Sequence, residues 1–403
     1  MPTEIDDWTN DIHTGDARDT LAELPKSSVH MVMTSPPYFG LRDYGVDGQI
    51  GLEDELKEYI EELVDVFREV RRVLRPDGSA WLNLGDSYAG SGRGSWEEPT
   101  DDVKESYVPS ELPDRNDRLG RKNKMLVPHR VAIALQDDGW IVRNDVTWAK
   151  PNPMPSSVKD RLNTTTEQVF HLVPEPDYWY DLDAIREPYS KGAMDRYEYK
   201  IDPERPSAGA TDNPVASASE LSPNPAGKNP GDVFEVTTKP FPEAHFAVYP
   251  PELVETPLKA TCPPKVCAEC GSPYEREVER ERCPGSAPGK GDGNSMRDAQ
   301  VNGGHQRDGH DYKRKHISSA ETVGWTPTCD CDTDATESGI ALDPFAGAGT
   351  TALVAKRQGR RFVGIDLNEE YVAMAQKRLG LTVDNPEYVR EDGVVGLEAF
   401  ADD

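Results

Sequence analysis

No stretch of the 403 residues approaches the ~18–20 consecutive apolar residues that a membrane-spanning helix needs. The opening MPTEIDDWTN has no basic patch followed by an apolar run, so no secretory leader is expected and a cytoplasmic location is. Lysine is scarce, 18 against 27 Arg, and the two together are outnumbered by 73 Asp and Glu, leaving a net charge of −28. Such a surface repels phosphate backbones, so composition alone argues against a nucleic-acid partner. Concentrated salt removes that objection, because the screening length falls to about 3 Å at 1 M. Cysteine is missing everywhere except residues 262–331, which hold all six. The rest of the chain thus supplies no cysteine nucleophile of its own, and clustered pairs in a cytosolic protein point to metal before disulfides.

What is present over residues 10–185 reads as alternating strands and helices. Val29–Ser35 is a short apolar strand ending in a Ser-Pro-Pro-Tyr turn. Glu53–Leu74 predicts an amphipathic helix, with Leu56, Ile60, Leu63, Val64, Phe67, Val70 and Leu74 at helical spacing. Arg75-Pro-Asp-Gly stops it, and Ser79–Leu84 is the next strand. Residues 85–118 read as a loop, Pro128–Asp138 as a helix, and Trp140–Trp148 and Gln168–Val173 as strands. Residues 186–230 are rich in Pro, Ser, Ala, Gly and Asn without periodicity, an irregular insertion. The pattern returns with strand Gly339–Leu342, helix Thr350–Gln358, strand Arg361–Ile365 and helix Glu369–Leu379. This alternation implies a mostly parallel sheet covered on both faces.

Two turns carry chemistry. Asp343-Pro344-Phe345-Ala346-Gly347-Ala-Gly349-Thr350 lies between a strand and a helix. Its glycines permit close backbone approach to a ligand, and the helix start presents N–H groups. Phe362-Val-Gly-Ile-Asp366 follows and ends in an acid placed where a ribose diol would be held. In Thr34-Ser35-Pro36-Pro37-Tyr38, two prolines fix φ and remove two donors, leaving carbonyls and the Ser35 hydroxyl to accept hydrogens from a planar amine that stacks on Tyr38.

The pair of turns resembles the S-adenosylmethionine-dependent amino-group DNA methyltransferases. In that family a D/N/S-P-P-Y/F/W motif binds the flipped base and a D-x-F-x-G-x-G motif binds the cofactor. The resemblance implies a Rossmann-like α/β fold of about seven mostly parallel strands. Catalytic motif first and cofactor motif last is the permuted order called the beta class. It also implies Ser35, Pro36, Pro37 and Tyr38 as catalytic residues. Cofactor contacts would come from Asp343, Pro344, Phe345, Ala346, Gly347, Gly349, Thr350 and Asp366, with Asp16 of Gly15-Asp16-Ala17 before the first strand and Phe246 of His245-Phe-Ala-Val-Tyr-Pro250. Leu74–Asp86, Gly139–Pro151 and Asp160–Val173 also look like family segments. Serine at position 35 favours cytosine N4 over adenine N6, the alternative on the same fold; a silent DNA-binding module is the reading from another class. The implied chemistry is base flipping in double-stranded DNA and direct attack by the amine, with Ser35 orienting it rather than removing its proton.

Cys267-Ala-Glu-Cys270-Gly and Cys329-Asp-Cys331 are two chelating pairs that suit a structural zinc in a ribbon-like insertion, with Cys262 or Cys283 able to replace a ligand. Gly303–His316 and Arg118–Lys124 are local basic runs that a phosphate backbone could meet. The layout expected is a catalytic half (10–185), a target-recognition or flexible insertion (186–240) and a cofactor-closing element (241–261). A Cys-rich insertion (262–331), a cofactor half (332–385) and a tail (386–403) follow. No nuclease motif is seen, so any restriction endonuclease would be a separate chain. The acidic, Lys-poor balance looks like that of haloarchaeal proteins.

Overall fold

The computed structural model describes residues 4–41, 43–89, 119–192, 224, 226–239, 248–280 and 320–382. Phe246, Cys283, the 303–316 basic run and the 386–403 tail lie outside them, as does most of the 85–118 loop. In chain order the elements are β1 (Asp11–Thr14), α1 (Ala17–Glu23), β2 (Val29–Thr34), α2 (Leu56–Val73) and β3 (Leu74–Leu84). Next come α3 (Val127–Asp137), β4 (Ile141–Ala149), β5 (Thr166–Val173), β6 (Val233–Glu235) and α4 (Pro251–Thr261). Then follow β7 (Val266–Cys267), β8 (Tyr274–Arg280), β9 (Ala320–Pro327) and β10 (Thr336–Glu337). The last are β11 (Ile340–Asp343), α5 (Thr350–Arg357), β12 (Arg361–Asp366) and α6 (Glu369–Arg378). The chain divides into two units, Met1–Asp181 with Gly231–Tyr274 and Pro327–Asp403, and Leu182–Pro230 with Glu275–Thr326.

The first unit is built on one sheet in the order β1-β12-β11-β2-β3-β5-β4-β6. It has eight strands among the described residues, not seven. The extra one is the short β6, which pairs with β4 from just beyond the segment 186–230 expected to be irregular. The sheet is mostly parallel, and β5 alone runs against its neighbours β3 and β4. A strand also precedes Gly15, since β1 pairs in parallel with β12; the Gly15-Asp16-Ala17 turn follows the first strand rather than preceding it.

Burial explains the layering. All six residues of β2 are buried, as expected of a strand covered on both sides. Val32, Leu342 and Ile365 point into one core with Leu21 of α1, Leu63, Phe67 and Val70 of α2, and Val131 and Leu135 of α3. Met31, Met33, Trp81 and Ala341 point into the other with Leu253 and Leu258 of α4, Leu353 of α5 and Val372 of α6. On α2 the structure buries Tyr59 and leaves Ile60 at the margin of the core. β3 begins directly at Leu74, so Arg75-Pro-Asp-Gly lies within the strand.

The second unit carries most of the β8–β9 ladder, where Arg276 Nη1 donates to Thr322 Oγ1 at 2.7 Å and its guanidinium lies 4.6 Å from the Trp325 ring centroid.

Candidate active site

β2 and β11 run parallel, with Ala341 opposite Met31 and Leu342 opposite Val32, so the chain leaves both at the same sheet edge. There Thr34 Oγ1 donates to Asp343 Oδ1 at 2.7 Å, joining two turns 309 positions apart. The Phe345 amide donates to the same oxygen at 3.1 Å. Asp343 Oδ2 lies 2.7 Å from Tyr249 Oη, which lies 2.6 Å from Thr351 Oγ1, which reaches the Met33 carbonyl at 3.0 Å. With 1% of its surface exposed, the Asp343 acid is pushed up to about 6 by burial, against the pull of the Thr34 and Tyr249 hydrogen bonds. Asp343 is absent from the cavity wall, so this residue ties β2 to the glycine loop rather than touching a ligand.

Beside this joint is a cavity of about 490 Å³, within the range of small-ligand sites. Phe345, Ala346, Gly347 and Thr350 form one wall with Pro344, and Asp366 lies beside them. The two glycines differ in what they permit. Gly347 has φ +50° and open space where a Cβ would sit, whereas a Cβ on Gly349 (φ +71°) would come within 3.0 Å of Ala375 Cβ. One makes room for a ligand; the other lets α5 start against α6. Asp366 takes the Gly347 amide on Oδ2 at 2.7 Å and the Asn368 amide on Oδ1 at 2.9 Å. Each oxygen keeps a lone pair for a diol, and burial raises the acid above the usual carboxylate range. Asp16 also lines the cavity, but as the cap of α1: Oδ1 accepts from the Arg18 amide at 2.8 Å, and the Arg18 guanidinium holds the acid below its ordinary range.

On the opposite wall stand Ser35, Pro36, Pro37 and Tyr38. The Pro37 carbonyl already accepts from Tyr59 Oη at 2.9 Å. Among the described residues no donor is paired with the Pro36 carbonyl. The Tyr38 hydroxyl donates to Glu167 Oε2 at 2.7 Å, and burial beside that carboxylate holds its pKa well above 10. A Cβ on Gly85 would come within 2.5 Å of Tyr38 Cε2, so this glycine leaves space for the ring. Asn83, 1% exposed on β3, points Nδ2 at Tyr38 Oη (2.9 Å), Glu167 Oε2 (3.1 Å) and Ser35 Oγ (3.2 Å). Lys150 pairs with Glu167 Oε1 and lies 4.3 Å from the Trp148 ring centroid.

The structure thus brings Ser35, Pro36, Pro37, Tyr38, Asp16, Pro344, Phe345, Ala346, Gly347, Thr350 and Asp366 to one cavity. Asp343 and Gly349 support it from outside the lining. Asn83, Glu167, Lys150, Trp148 and Tyr249 were not singled out by the sequence. An amide inside the apolar run Ser79–Leu84 was the available signal for Asn83. Cys267, Cys270, Cys329 and Cys331 lie elsewhere, converging with one another and not with the cavity.

An open α/β sheet with a glycine loop and a carboxylate at its carboxyl edge, facing a stiff polar turn, is the architecture of a group-transfer enzyme with a nucleoside cofactor. A family model described as DNA methylase, covering N6 and N4 enzymes, matches residues 29–266 and 333–377, and the chain belongs to that family of S-adenosylmethionine-dependent DNA methyltransferases. It is 33% identical to the Type II methyltransferase M.SmaI of Serratia marcescens over 91% of this chain and 90% of that one. It is 34% identical to M.XycI of Xanthomonas campestris pv. cyanopsidis over 91% and 86%. Among solved structures, PvuII DNA methyltransferase (cytosine-N4-specific) aligns with a TM-score of 0.49 at 16% identity, over 93% of this chain and 88% of that one.

Proposed function

We propose that the chain methylates the exocyclic N4 amine of cytosine within a short double-stranded DNA sequence, with the target base rotated out of the helix. Ser35 at the head of the Ser-Pro-Pro-Tyr turn carries this reading: its hydroxyl sits on the cavity wall, within reach of Asn83 Nδ2. Asp366, Gly347, Phe345 and the Asp16 turn would hold the nucleoside end of the cofactor. Bound there, S-adenosylmethionine supplies an electrophilic methyl group that the amine takes in one displacement, leaving a neutral thioether.

The chain's own residues orient the base and dispose of a proton. Ser35 Oγ and the Pro36 carbonyl accept from the amine, while Tyr38 stacks on the ring, offsetting the few kcal/mol that unstacking costs. After transfer the nitrogen carries a surplus proton. Ser35 Oγ takes it while passing its own hydrogen to Tyr38 Oη, 3.4 Å away, and Tyr38 passes its hydrogen to Glu167 Oε2 at 2.7 Å. Ser35 is a relay in this scheme, its hydroxyl being too weak a base to start the reaction. Lys150, paired with Glu167 Oε1, holds that carboxylate in place as the acceptor.

The relatives' names as Type II methyltransferases support a role in protecting a short site from a separate restriction endonuclease. Target recognition is assigned to residues 186–240 and 262–331. The net charge of −28 suits a cytoplasm rich in salt. The direct test is transfer of labelled methyl groups to double-stranded DNA in concentrated KCl by wild type and Ser35→Ala. The expected result is label on DNA with wild type, little with the variant, and cofactor affinity unchanged. Equal transfer by both would remove Ser35 from the reaction.

A further inference from the structure

We infer that Cys267, Cys270, Cys329 and Cys331 hold one structural zinc ion, and that His30 and Arg75 lock the resulting knuckle onto the catalytic sheet. The four sulfurs lie within 4.8 Å of one another. A tetrahedral zinc with bonds of about 2.3 Å would space them about 3.8 Å apart, a small contraction. The turn is already formed for this. The Gly271 amide donates to the Cys267 carbonyl at 2.8 Å, and Gly271 has the left-handed φ of +71° that the turn after Cys270 requires. Short pairing of β7 with β10, Cys267 opposite Thr336, brings the distant Cys329-Asp-Cys331 segment alongside. Thr328 Oγ1 donating to the Pro273 carbonyl at 2.6 Å adds to that closure. Two pairs so far apart in sequence, converging as free thiols, are the arrangement of a closed metal site.

The knuckle has fixed outer partners. Arg75 Nη1 donates to the Cys270 carbonyl at 3.0 Å, and its Nε is held by Asp77 at 2.9 Å. His30, 4% exposed on β2, accepts the Ile340 amide on Nδ1 at 3.1 Å. Its hydrogen is therefore on Nε2, which donates to the Gly271 carbonyl at 2.9 Å. The metal turn is thus pinned to β2, the strand that leads into Ser35, and to β11. None of the four cysteines lines the cofactor cavity, so the ion takes no part in methyl transfer and this inference does not depend on the methyl-transfer reading.

Full-length protein purified without chelators and measured by elemental analysis should contain one zinc per chain. A mercurial reagent should release that zinc, seen with a metal-binding dye, in step with titration of the four thiols. Cys267→Ser and Cys329→Ser should each lose the metal. His30→Ala should keep the metal and release it faster to EDTA. Wild-type protein that carries no stoichiometric metal, carries iron in place of zinc, or shows the mass of a disulfide overturns the inference, whether or not the variants fold. Release at an unchanged rate from His30→Ala overturns the locking role alone.

Discussion

Removing one oxygen from Tyr38 separates its two duties. Tyr38→Phe keeps a ring to stack on the base but strips Glu167 Oε2 of its 2.7 Å donor and leaves Asn83 with one partner fewer. A buried acceptor left short costs about 1–3 kcal/mol, and the proton path proposed from Ser35 would be cut. The expected outcome is a lower midpoint in denaturant together with slower single-turnover methyl transfer at unchanged cofactor affinity. A loss of stability with full transfer rate would confine the hydroxyl to a structural role. Asp343 makes a sharper case. An amide in its place still accepts from Thr34 and the Phe345 amide on one atom and can donate to Tyr249 Oη on the other, with Tyr249 turning its own hydrogen to Thr351. Asp343→Asn should therefore bind cofactor within a few-fold of wild type, while Asp343→Ala should weaken binding at least tenfold. Isothermal titration distinguishes them, and an Asn variant as damaged as the Ala variant would mean that the carboxylate charge is needed.

At the level of elements, the buried strands carry a pH dependence. His171 of β5 is stacked on Trp81 with ring centroids 4.2 Å apart and contacts Ser79 Oγ at 3.1 Å. Burial first, and the Arg143 charge second, hold it down to about 3. Its folded-state pKa lies below the ordinary value of about 6.5, so the unfolded chain binds the proton first as pH falls. The folded state then loses about 1.4 kcal/mol per pH unit below 6.5, or about 2 kcal/mol by pH 5. Asp343 acts oppositely, its raised pKa adding stability as pH falls through 6. Thermal melts of wild type and His171→Phe isolate the histidine: the variant should lose less stability between pH 7 and pH 5, and parallel acid limbs would contradict the assignment.

Elements also show what was legible beforehand. α2, β2 and the β11–α5–β12 unit announce themselves by periodicity and by glycine, and their bounds fall within a few residues of the expected ones. α1 spans only Ala17–Glu23, too short for a periodic signal, and α4 hides behind Pro257 in its interior. Motif turns were readable because backbone needs restrict their residues. Glu167 and Lys150 were not, because only sheet register places them: Trp148 faces Glu167 across β4–β5, and Leu84 faces Gln168 across β3–β5. Register is decided by packing between distant strands, which a local reading does not contain.

Across the whole molecule, topology and charge set the terms on which the chemistry proceeds. The last strands of the described chain insert between β1 and β2, so a loop near the C-terminal end completes a site begun at Ser35. The charge of −28 opposes approach to DNA unless salt screens it, so methyl transfer should rise with KCl before counterion competition weakens binding. The most direct test of the central claim is to methylate unmodified double-stranded DNA in concentrated KCl, digest it to nucleosides and weigh the product. The expected product is N4-methylcytosine, strongly reduced with Ser35→Ala. N6-methyladenine as the product would contradict the assignment of Ser35 to cytosine, and no methylated base despite measured cofactor binding would contradict DNA methyl transfer by this site.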